Sequence, residues 1–138
     1  MTENNGISDE VPLENKEKLS ESQANTKKYD LSQLLMVSRG DMSFVRSIVK
    51  MFIVKTPLYI DRITKEYESG NFHEMGEVAH QLKQSIYAMG VNTLRIPVMA
   101  IILVGRNNNP DDDLILHIAN LKHFAQLVIQ DLKTDFEL

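Results

Sequence analysis

From Tyr29 onward, apolar residues return at intervals of three and four, the spacing that lines one face of a helix. Asp30 is placed to cap a short helix over 31–37, and Arg39-Gly40 to end it. Asp41 is placed to cap a second helix, on which Phe44, Val45, Ile48, Val49, Phe52 and Ile53 share a face. Pro57 either kinks that helix or opens a new one, and Tyr59, Ile60, Ile63 and Tyr67 carry the face beyond it. Ser69-Gly70-Asn71 spells a turn. A third helix follows over 72–89, with a buried stripe expected at Met75, Val78, Ala79, Leu82, Ser85, Ile86 and Met89, and Gly90 stops it. Asn92 is placed to cap a helix carrying Leu94, Val98, Ile101, Ile102 and Val104, with Pro97 early in it, and 105–110 reads as a polar turn. Asp111, Asp112 and Asp113 set negative charge at the start of a last helix, where it complements the dipole. Ile115, Ile118, Leu121, Ala125, Val128 and Leu132 form its stripe.

No segment alternates with period two, and no glycine-rich phosphate loop is present. Short connections make consecutive helices antiparallel neighbours. The expected fold is therefore all-α: an antiparallel up-and-down four-helix bundle with a short additional N-terminal helix, spanning 29–138. Residues 1–28 are polar and mixed in charge, and Val11, Leu13 and Leu19 make no persistent face. Too little burial is on offer there to offset ordering entropy, so this stretch reads as a flexible tail, with a helical turn or two near 16–23.

Composition narrows the functions. At 138 residues with 43% hydrophobic content, the chain can bury a core without staples. It has no cysteine, which removes disulfides, thiolate metal sites and thiol nucleophiles. A net charge of -4, with no basic block longer than Lys27-Lys28, argues against nucleic-acid binding, which needs a dense positive footprint. The most apolar stretch, 96–104, is far short of the ~20 residues a helical membrane span takes. No apolar run marks a secretion signal near Met1, and a cytoplasmic location is expected.

Candidate chemistry rests on four histidines: His73, His80, His117 and His123. His117 and His123 do not share a helical face well. His73 and His80 do, but lie two turns and about 10 Å apart, too far to bind one metal together. Glu74 and Glu77 read as a charged, solvated face. On the third helix, positions 76, 77, 80, 83, 84 and 87 fall on the flank opposite the apolar stripe, so His80 is expected to project outward. An unprotonated imidazole nitrogen is a nucleophile and can attack phosphorus in line. Lys83, at i+3, can reach the phosphoryl oxygens as a flexible cation, and Gln84 can donate a hydrogen bond to them. Periodicity alone favours a plain exposed histidine beside a lysine.

The stretch Ala79-His80-Gln81-Leu82-Lys83-Gln84-Ser85, followed by Ala88, Gly90 and Leu94, resembles the signature of histidine phosphotransfer (HPt) domains. The likeness extends over about 30–134, with Leu34 and the 40–52 segment matching the family's helix before the active one. It implies a bundle whose second long helix exposes a phosphorylatable histidine, here His80, with Lys83 balancing phosphate charge, Ser85 at a small buried position and Gly90 ending the helix. It implies receiver domains of response regulators and a hybrid sensor histidine kinase as partners. It further implies no cofactor on this chain, with magnesium held by the partner receiver, and no autophosphorylation from ATP. Gln84 departs from the family pattern, which has glycine there to leave room for the partner's loop. Pro97 is a second departure. A docking surface around His80 is expected to draw on Met36, Arg39, Met42, Arg46, Gly76, Glu77 and Tyr87. Rival readings are a helical adaptor that binds signalling proteins without phosphate, a dimerisation module, and metal storage within the bundle, for which the lone Glu77-to-His80 spacing faces outward.

Overall fold

Asp41 begins the longest helix as its spacing suggests: its carboxylate accepts hydrogen bonds from the Ser43 and Phe44 amides at 3.0 and 3.2 Å, satisfying two otherwise unpaired donors. In the computed structural model, which describes residues 28–138, this helix is the second of five. The order is α1 (Ser32–Val37), α2 (Met42–Glu68), α3 (Phe72–Ala88), a 3-10 turn (Asn92–Leu94), α4 (Arg95–Asn107) and α5 (Leu114–Asp135). Each long helix packs on the next, and α5 closes the ring on α2. The fold is all-α, a four-helix bundle with a short helix ahead of it. The expected 1–28 tail, and any helical turn near 16–23, fall almost wholly outside the described residues.

Pro57 lies inside a single continuous α2, so no new helix starts there. It is exposed, and the unfilled donor site costs less than breaking a helix whose other face buries Val45, Val49, Phe52, Thr56, Ile60 and Ile63. Phe44 and Ile115, expected in apolar stripes, are instead 41% and 58% exposed. Ile48, Ile53 and Ser85 are half-buried. Asp30 does not cap α1 directly. It stands one residue further out and accepts from the Ser32 amide at 2.9 Å. Asn92 opens the 3-10 turn, and Leu94, not Asn92, stands at the cap position of α4.

The α3–α4 hairpin sets the site. Gly90, with φ +62°, takes the left-handed position, and the amides of Gly90 and Val91 return to the carbonyls of Tyr87 and Ile86 at 3.1 and 3.0 Å. The chain then re-enters helical geometry at Arg95. Pro97 is the third residue of α4 and buried, in the first turn where amides lack intrahelical partners in any case. At its far end α4 runs through Gly105 to Asn107, where a polar turn from 105 was expected.

Candidate functional site

On α3 the side chains of Met75, Val78, Ala79, Leu82 and Ile86 are buried, and this stripe turns His80 outward. His80 is exposed, and among the described residues its ring has no hydrogen-bond or ion-pair partner. Its environment is a shallow groove of about 130 Å³ between α3 and α4, lined by His73, Gly76, Glu77, His80, Ile102, Gly105 and Arg106.

Gly76 and Gly105 create that groove. A methyl group on Gly76 would lie 2.9 Å from the Gly105 Cα. One on Gly105 would lie 2.6 Å from the Gly76 Cα and 2.7 Å from the Phe72 carbonyl oxygen. The two backbones therefore meet directly, and the larger side chains around them form the rim. Gly76 is buried, which corrects its expected solvent-facing position. A residue sealed against α4 offers a partner only the groove floor, not a docking side chain. Glu77 is exposed as expected.

Lys83 is half-buried and Gln84 exposed, one turn on from His80. The Lys83 Nζ lies 5.6 Å from the centroid of the Tyr87 ring, and the Arg95 guanidinium carbon lies 4.4 Å from the same centroid. Tyr87 is 37% exposed, so it reaches solvent as well as these cationic neighbours.

Met36 and Met42, at 78% and 53% exposed, and Arg39 and Arg46 all reach solvent. They lie apart from the groove. Arg62 on α2 pairs with Glu74 on α3 at 3.0 Å, which fixes the register of these antiparallel helices. Counting 1.5 Å per residue back from that pair, Arg46 stands about 15 Å, and Met42 about 20 Å, beyond His80 along the bundle. Lys83, Gln84 and Tyr87 occupy the interval. The structure thus brings His80, Glu77, Lys83, Gln84 and Tyr87 onto one surface and leaves Met36, Arg39, Met42 and Arg46 at its far end.

Arg106 is the groove residue that the sequence reading passed over. It falls on α4, 26 positions from His80, and only the Gly76–Gly105 contact brings it alongside. Two small residues on consecutive helices were the available signal for that close approach. Among the described residues, no three His, Asp or Glu side chains are grouped so as to hold a metal ion, and no helix is long and apolar enough to cross a membrane. Glu77 and His80, the one pair at the Glu-to-His spacing of a metal-storing bundle, both lie on the surface and not in the bundle interior. Comparison with family models, curated proteins and solved structures finds no match to the chain.

Proposed function

We propose that the chain is a phosphorelay intermediate that accepts a phosphoryl group on His80 from the aspartyl phosphate of one receiver domain and passes it to another. The observation that carries this reading is an exposed imidazole, with no hydrogen-bond or ion-pair partner among the described residues, on a packed helix, with Arg106 lining the same groove and Lys83 one turn away. The lone pair of an imidazole nitrogen attacks phosphorus as the bond from phosphorus to the aspartyl oxygen breaks, and that electron pair leaves with the carboxylate. The ring proton stays on the other nitrogen until water or the partner takes it. Onward transfer runs the same exchange in reverse, onto a second aspartate.

Little else is asked of this protein. Such a transfer depends mainly on positioning and on balancing charge spread over the phosphoryl oxygens. Lys83 and Arg106 supply positive charge on either flank of the imidazole. The receiver supplies the aspartate and its bound magnesium. A hybrid sensor histidine kinase would load the first receiver, and the exchange belongs to the cytoplasm.

Gln84 favours a second reading. An exposed amide at the position where HPt domains carry glycine suits an adaptor that binds receivers without accepting phosphate. Incubation with a phosphorylated receiver separates the two. Acid-labile, base-stable label on the wild-type chain, absent from His80→Gln, is the expected result. Equal labelling of both chains, or of neither, overturns the proposal, and receiver binding without label establishes the adaptor.

A further inference from the structure

Lys83 meets no carboxylate among the described residues. Its ammonium contacts an aromatic ring instead, 5.6 Å from the centroid of Tyr87, four residues on along α3. From the first residue of α4, Arg95 approaches the same ring more closely, at 4.4 Å. Among the described residues the buried Arg95 Nε has no hydrogen-bond partner, and the contact that this guanidinium makes is with the Tyr87 ring. One aromatic side chain thus ties Lys83, one helical turn from the imidazole, to the helix that forms the other wall of the groove.

Resting on the phosphotransfer reading, we propose that Tyr87 is a positioning residue: its ring, steadied from α4 by Arg95, holds the Lys83 ammonium within reach of a phosphoryl group on His80. Lys83 is i+3 from His80 and i-4 from Tyr87, so both lie within one helical turn of it. A lysine on a free four-carbon stem samples many directions, and an aromatic face restricts them. The ring does this without neutralising the charge, as a carboxylate would. When a phosphoryl dianion arrives, charge–charge attraction exceeds the attraction of the ring, and the ammonium turns toward His80.

The test uses the full chain and phosphoramidate, a small donor that needs no docking surface. The imidazole forms its bond to phosphorus as the donor's own P–N bond breaks and ammonia leaves. Tyr87→Leu is expected to label His80 roughly two- to fivefold more slowly, the range set by one half-exposed cation–ring contact. Tyr87→Phe, which keeps the ring, restores the wild-type rate, and Arg95→Gln, which frees the ring, shifts the rate in the same direction as Tyr87→Leu. In a Lys83→Ala background Tyr87→Leu is expected to have no further effect, because its influence passes through Lys83. Equal rates for wild type and Tyr87→Leu overturn the proposal, as does a loss that persists without Lys83. A wild-type His80 inert to phosphoramidate also overturns it; one inert to a phosphorylated receiver as well overturns the phosphotransfer reading too.

Discussion

A single side chain decides the function proposed here, and its neighbours decide the rate. At roughly 5 Å in wet surroundings, one cation beside the phosphoryl group is worth on the order of 1 kcal/mol. Lys83→Ala is therefore expected to slow labelling of His80 by a phosphorylated receiver about fivefold, and Arg106→Ala by a similar factor. Both deficits should shrink as salt is added, because Arg106 is exposed and Lys83 only half-buried, so both charges are open to screening. A variant rate equal to wild type at low salt would remove that residue from the transfer. Gln84→Gly is expected to retain labelling, since it leaves His80 and Lys83 in place; complete loss of label would make the amide essential. His80 was legible in the sequence because the apolar stripe of one helix fixes which residues face away from it. Arg106 was not, because its neighbourhood is set by the crossing of two helices, and periodicity within a helix says nothing about register between helices. Gly76 misled for the same reason: its angular position is on the open flank, but α4 covers it.

At the scale of elements, the α3–α4 crossing is the most demanding contact in the bundle. Alanine normally improves a helix over glycine by up to about 1 kcal/mol. Here a Cβ on Gly105 would meet the backbone of Gly76 and of Phe72 below 3 Å, and neither can move aside without parting the helices. Overpacking wins, and Gly105→Ala is expected to destabilise the fold by about 1–3 kcal/mol in urea titrations. It should also distort the groove that lies between them and reduce labelling of His80. Unchanged stability would show that the helices separate at no cost. Pro57 has the opposite sign. It is exposed in mid-helix, so Pro57→Ala restores a backbone bond and loses little packing, and a gain of about 1–3 kcal/mol is expected in the same titration. The helices themselves could be read from spacing and caps, as Asp41 and Gly90 illustrate. Whether Pro57 divided one helix or bent it could not, because that depends on the packing of both halves against α3 and α5.

For the whole molecule, the ring of four helices follows from short turns and apolar stripes, and this much the chain announces in its pattern. What the pattern does not announce is how the segment before α1 is fastened. The Asp30 amide donates to the Met89 carbonyl at 3.0 Å, and the Tyr29 hydroxyl donates to Asp135 at 2.5 Å, so two adjacent residues join the ends of α3 and α5. Partners 59 and 106 positions away leave no local trace. Burial first, and then the hydrogen bond and charge of Asp135, push the Tyr29 phenol above its ordinary value. The folded chain therefore keeps this proton to higher pH than the unfolded chain, whose tyrosines ionise near 10. Across that interval the folded state binds the extra proton, so its stability is fully present below about pH 10 and falls as pH rises. Tyr29→Phe removes both the hydrogen bond and the ionisation. At pH 8 it is expected to cost about 1 kcal/mol. Between pH 10 and 11 the gap to wild type should narrow, because only wild type has a Tyr29 proton to lose on unfolding. Urea titrations of both chains across this range check it. A gap that stays constant or widens would mean that Tyr29 gives up its proton as readily in the folded chain as in the unfolded one, and that its bond to Asp135 does not fasten α5 to the start of the bundle.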